Sequence, residues 1–238
     1  RRGYGRLFRS LFSPFLLYHA PTADPSVELQ AMEKWRVDRR PLSGATDWDL
    51  KQVPEYITPI QLYTLGLLNH FRGDSSRTLS LSQQLLKEPS PIEAGSLLRI
   101  WAGTLQALEA MRQNHPAVAL AILEKEPFVV RFPLYTNPVF NTGFARYLRA
   151  EALNRLGRYE EALNWYQSIG ETWFMDFPYR APALLRCAEI YEKINQPDEA
   201  VKAYRRFHQQ WQDCDSEFKF MTQKAETRLA QLLVNESK

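Results

Sequence analysis

The chain has 238 residues, 45% apolar and 13% aromatic, with 30 lysines and arginines against 27 carboxylates and a formal net charge of +3. That composition excludes a disordered chain, and so small an excess of positive charge gives no support to nucleic-acid binding through phosphate neutralisation. Only 10 glycines occur, while Ala, Leu, Glu, Arg and Gln fill long stretches, so helix is favoured over strand.

The first residue is Arg1, not methionine, which is the expectation for a piece of something longer. Arg1, Arg2, Arg6 and Arg9 interleave with Leu7, Phe8, Leu11, Phe12, Phe15, Leu16, Leu17 and Tyr18, and Pro14 interrupts the run. Two readings stay open for residues 1–20. One is a membrane-surface or partner-docking helix; the other is a helix packed on the element that follows. No run of 18 apolar residues exists, so nothing is expected to span a bilayer. Within residues 1–40 the cations are Arg1, Arg2, Arg6, Arg9, Lys34, Arg36, Arg39 and Arg40, against Asp24, Glu28, Glu33 and Asp38; the body of the chain carries no basic stripe. Asp24-Pro25 reads as a cap followed by proline at the first helical position, with Val27, Ala31, Met32 and Trp35 on one face. Residues 39–47 are polar and turn-rich. Residues 1–46 are therefore expected to be an amphipathic N-terminal segment and linker, and residues 47–238 the main array.

Within that array, Ser90-Pro91-Ile92-Glu93 reads as a capping box. Asn137-Pro138, Gln196-Pro197 and, with a poorer cap, His115-Pro116 repeat the cap-then-proline arrangement. Helices of about 12–16 residues are expected between such points. Val129-Val130-Arg131-Phe132 is β-prone but short, and reads as a connection.

Internal repetition decides the architecture. In residues 146–169, Ala150, Gly157, Tyr159, Ala162 and Tyr166 stand at spacings that recur in part as Ala188, Tyr191, Ala200 and Tyr204, with Asn195 at the turn in place of glycine. Weaker copies carry Ala107 and Ala119, then Gly66, Gly73 and Thr78. The corresponding positions Thr78, Ala119, Ala162 and Ala200 are 41, 43 and 38 residues apart. The extra length of the last interval is assigned to the connection around residues 171–179, with Trp173, Phe174 and Phe177 covering the junction. The expected elements are hairpins at about 56–88, 91–126, 138–170 and 179–211, with a capping helix at about 214–235 presenting Phe218, Met221, Ala225, Leu229 and Leu232 on one face.

These residues resemble the tetratricopeptide repeat, a family whose small residues mark where the two helices of a hairpin touch. The closing segment resembles C-terminal arrays of bacterial multidomain signalling proteins. The resemblance implies an all-α solenoid of helical hairpins, a TPR-like superhelix, acting as a scaffold that binds protein or peptide. Helix A of each hairpin is then expected to line a concave groove. The partner-facing residues expected there are Trp101 in the second hairpin; Tyr147, Glu151, Asn154 and Arg155 in the third; and Leu185, Glu189 and Glu192 in the fourth. Phe71 and Phe144 fall on the same kind of position. The glutamates suggest a basic and apolar partner segment, or else they are salt-bridged helix residues. Tyr147 and Glu151 stand where the family's chaperone-tail clamp wants Lys and Asn, so that mode is disfavoured.

No catalytic, cofactor or metal site is expected. There is no glycine-rich phosphate loop, no GxSxG and no HExxH; His19, His70, His115 and His208 are scattered; Cys187 and Cys214 form no metal-spaced pair. Asp47-Trp48-Asp49 and Asp213-Cys214-Asp215 match DxD only at chance level. The chain is read as a non-enzyme, with a cytoplasmic setting or membrane association through residues 1–20. A structural subunit, or a regulatory region of a larger enzyme, is the alternative.

Overall fold

The computed structural model describes residue 18 and residues 24–34, 48–89, 95–126, 142–170 and 176–236. Several expectations lie outside these residues: most of the 1–20 segment, Trp35, the linker at 39–47, the capping box at Ser90–Glu93, Val129–Phe132, Asn137-Pro138, Trp173 and Phe174.

The described chain is all-α, with no strand among the described residues. In order the helices are α1 (Ser26–Glu33), α2 (Trp48–Arg72), α3 (Ser75–Leu85), α4 (Gly95–Arg112), α5 (Pro116–Leu123), α6 (Gly143–Arg155), α7 (Tyr159–Gln167), α8 (Phe177–Lys193), α9 (Pro197–Trp211) and α10 (Lys219–Glu236), the last entered through a 3-10 turn at Ser216–Phe218. The uniform length of about 12–16 residues expected from the sequence gives way to an asymmetry. First helices of the hairpins run to 25 residues (α2) and 18 (α4), while second helices are as short as 8 (α5) and 9 (α7). Near the first helix the cap is displaced by one residue: Ser26 N–H donates to the Asp24 carboxylate at 2.9 Å, and Pro25 takes the N-cap position.

By packing, the chain forms two compact units, Arg1–Ala145 and Arg146–Lys238. In the first, α1 lays Leu29 and Met32 on a cluster with Leu62, Leu65 and Leu68 of α2 and Leu81 of α3. Hairpins α2–α3 and α4–α5 pack on each other through α3 against α4 and α2 against α4. Tyr63 and Trp101 stack there with ring planes 7° apart and centroids 5.1 Å apart. In the second unit, α7 packs on α8, α8 on α9, and α9 on α10. Phe207, Trp211 and Phe218 form an aromatic run that seats the start of α10.

Four turns share one construction. Gly73, Asn114, Gly157 and Asn195 have φ of 89°, 60°, 74° and 57°. Only glycine, and less readily asparagine, adopts this left-handed conformation at little cost. At each turn the N–H of that residue donates three residues back: to His70, Met111, Asn154 and Glu192 carbonyls respectively. The next N–H donates five residues back: to Asn69, Ala110, Leu153 and Tyr191. This is the Schellman closure, and it satisfies carbonyls that the helix end leaves without partners. The residue that follows, Asp74, His115, Arg158 or Gln196, is already the N-cap of the second helix.

Fixed turns place small residues face to face. Seven residues before each turn residue stand Gly66, Ala107, Ala150 and Ala188; five after it stand Thr78, Ala119, Ala162 and Ala200. All eight are buried. At Gly66 even a methyl does not fit, since a Cβ there would lie 2.4 Å from Leu105 Cδ1. Thr78 turns its hydroxyl to the Asp74 carbonyl at 2.8 Å and the Gly66 carbonyl at 3.3 Å, so its polarity is absorbed inside the hairpin.

Candidate functional site

The exposure expected of Trp101, Tyr147, Glu151 and Leu185 is corrected by their burial, at 1%, 0%, 4% and 4% accessible. The cause is geometric. Positions three before the small residue (Tyr63, Thr104, Tyr147 and Leu185) share its helix face, and that face is the packed one. Trp101 is consumed by its stack on Tyr63, and Tyr147 meets Tyr166 edge-on at 5.4 Å. Asn154, Glu189 and Glu192 are half-buried and Arg155 is exposed, so these four stay at the surface of the first helices.

The glutamates belong to a ladder of charges within the second unit. Glu151 accepts from the Tyr166 hydroxyl at 2.6 Å and from Arg186 Nε at 2.7 Å. Arg186 Nη1 donates to Glu189 at 2.7 Å, and Glu189 also accepts from Lys224 Nζ at 2.7 Å. Glu192 accepts from Arg228 and from the Tyr204 hydroxyl. Burial works to raise the Glu189 carboxyl, but Arg186 and Lys224 outweigh it and hold it below its ordinary value. Burial is likewise outweighed at Glu192, by Arg228 and Tyr204. Burial raises the Tyr166 hydroxyl well above its ordinary range, and Glu151 raises it further. Tyr166 and Tyr204 therefore act as donors, not as acids.

This pairing agrees with the second reading of the glutamates, as salt-bridged helix residues. A cleft of about 500 Å³ is lined by Glu189, Glu192, Lys193, Tyr204, Lys224 and Arg228. Two carboxylates face three cations there, and both carboxylates already hold internal partners. Lys193 differs from the other two cations: its Nζ donates to the Asn154 side-chain oxygen Oδ1 at 3.3 Å and lies 5.4 Å from the Tyr159 ring centroid. The sequence places Lys224 and Arg228 on the polar face of the capping helix and not among the groove residues, because their roles depend on α10 lying beside α8, which no spacing within one helix reveals.

In the first unit a second polar cluster surrounds the buried Glu109. Glu109 accepts from Ser75 Oγ at 2.7 Å and from Arg112, and its other oxygen meets His70 Nδ1 at 2.8 Å. Ser75 and His70 both address the carboxylate and not each other, so the cluster ties α2, α3 and α4 together rather than forming a nucleophile–base pair. Among the described residues no group of three or more His, Cys, Asp or Glu could hold a metal ion.

Serial helical hairpins with left-handed turns and small residues at each crossing define a helical-repeat protein. Residues 182–213, spanning most of α8 and all of α9, match the model of the tetratricopeptide repeat family. This hairpin is thus similar to a tetratricopeptide repeat, in agreement with the resemblance carried by Ala188, Asn195, Ala200 and Tyr204. Neither the curated proteins nor the solved structures contain a match to the chain.

Proposed function

We propose that the protein is a scaffold that binds another protein or a peptide along the first helices of its hairpins, and that the cleft between α8, α9 and α10 receives an extended segment bearing a carboxylate. The tetratricopeptide repeat supports the general reading, because such hairpins serve as interaction modules. The finer reading rests on one observation: the cleft offers three cations against two carboxylates that are internally spent. An acidic segment gains from Lys193 without breaking an existing ion pair, whereas a basic one must displace Arg228 or Lys224. The same proposal takes residues 1–46 as an N-terminal segment and 47–238 as the binding array, of the kind found at the end of bacterial multidomain signalling proteins.

Panning a random peptide library on the full chain tests this. Enrichment for Asp and Glu is expected, with binding reduced about tenfold by Lys193→Glu at unchanged melting temperature and weakened by salt. Lys193 is chosen because its acceptor is neutral Asn154, so its replacement leaves the ladder intact. Enrichment for basic sequences, or indifference to Lys193→Glu, would overturn the proposal.

A further inference from the structure

Tyr18 is far in sequence from the two rings it meets. Its ring stands edge-on to Phe71, at the end of α2, with centroids 6.5 Å apart and planes at 76°. It stands edge-on also to Phe144, at the start of α6, at 5.6 Å and 74°. All three belong to the first unit. His70 also meets Phe71 edge-on at 5.2 Å, and is itself held by Glu109. Phe144 is 4% accessible and Phe71 and Tyr18 are half-buried. Edge-to-face contact is a favourable arrangement for each of these ring pairs, because a positive ring edge meets a negative face.

We propose that Phe71 and Phe144 form a receptor for a single aromatic side chain, and that the chain fills it with its own Tyr18. Tyr18 is a ligand supplied in cis. Its attachment gives it a high local concentration, so it occupies the site unless something removes it. A partner segment that presents an aromatic anchor to this face therefore binds only by displacing Tyr18, and the N-terminal segment sets the threshold for that partner. The site lies in the first unit and uses none of the residues of the cleft in the second, so the two readings stand or fall separately.

The test uses the full chain and a fluorescent synthetic peptide of residues 10–22, which contains Tyr18. Anisotropy is read against wild type, Tyr18→Ala and Tyr18→Phe. The vacated site in Tyr18→Ala is expected to bind the peptide at least about tenfold more tightly than wild type does. Tyr18→Phe retains the ring and is expected to match wild type. A peptide carrying alanine at its tyrosine is expected not to bind. Adding Phe71→Leu to Tyr18→Ala keeps an apolar side chain while removing the ring face, and is expected to return binding to the wild-type level or below; the far-ultraviolet circular dichroism of each variant confirms the fold. Equal binding by wild type and Tyr18→Ala, absence of binding to either, or binding that ignores the peptide's tyrosine would each overturn the proposal.

Discussion

Ala162 is fully buried where α7 crosses its partner helix. Substitution Ala162→Trp forces the helices apart, and a loss of about 3 kcal/mol or more is expected, read as a fall in the denaturant midpoint. An unchanged midpoint would show that the crossing does not lie at Ala162. Gly66→Ala sets two effects against each other. Alanine gains about 1 kcal/mol of helix propensity over glycine. Its methyl, however, meets Leu105, which is itself fully buried and has little room to yield. Overpacking of about 1–3 kcal/mol prevails, so net destabilisation is expected, relieved when Leu105→Val is added. Both small-residue positions were legible in the sequence, because close helix contact leaves few choices. The aromatic positions were not. Trp101 and Tyr147 satisfy helical spacing equally well as anchors for a partner or as core, and only the neighbouring helix decides between them.

At the level of the element, the turns carry the clearest sequence signal. A left-handed residue followed by a cap admits few side chains, so Gly157 and Asn195 were readable in advance. Asn195→Ala is expected to cost about 1 kcal/mol by removing the short polar side chain that lets asparagine tolerate that conformation, whereas Asn195→Gly, which removes the Cβ, is expected to leave the thermal midpoint unchanged or raise it. Helix lengths were less legible: apolar periodicity continues through α2 for 25 residues and gives α5 only 8. Least legible was the charge ladder, since its partners sit on different helices. Arg186→Met leaves Glu151, whose side chain is 5% accessible, without its cation. A loss of about 3 kcal/mol is expected, most of it recovered when Glu151→Gln is added; a double-mutant cycle in denaturant measures the difference.

For the whole molecule, the net charge of +3 conceals groups whose protonation is coupled to folding. Burial beside Phe71 and the nearby Arg112 hold His70 below its ordinary 6.5, against the pull of Glu109. As pH falls, the unfolded chain takes up that proton first. Stability is therefore intact above about 6.5 and declines as pH drops toward the lower folded value. Glu189 and Glu192, held below their ordinary 4.5, act with the same sign in a more acidic window: their contribution is complete above 4.5 and disappears as pH falls through the folded values. The melting temperature is expected to drop between about pH 7.5 and about pH 5.5, and His70→Asn to flatten that slope. A slope that survives the substitution would assign the acid sensitivity to other groups.

The rungs of the ladder also have a common measure. Glu151 meets Arg186 and Glu189 meets Lys224, each cation lying 35 positions downstream of its carboxylate. Ala150 and Ala188 set a period of 38. A tandem duplication of residues 176–213, which is one such period, would bring a second Arg186 to the place beside Glu189 that Lys224 now fills, and would hand Lys224 to the duplicated Glu189. Growth of the chain by whole units would thus preserve both of these pairings without a compensating substitution, whereas Glu192, whose Arg228 lies 36 positions on, would meet a second Ile190 and need one, a difference open to gene duplication and to the bench alike.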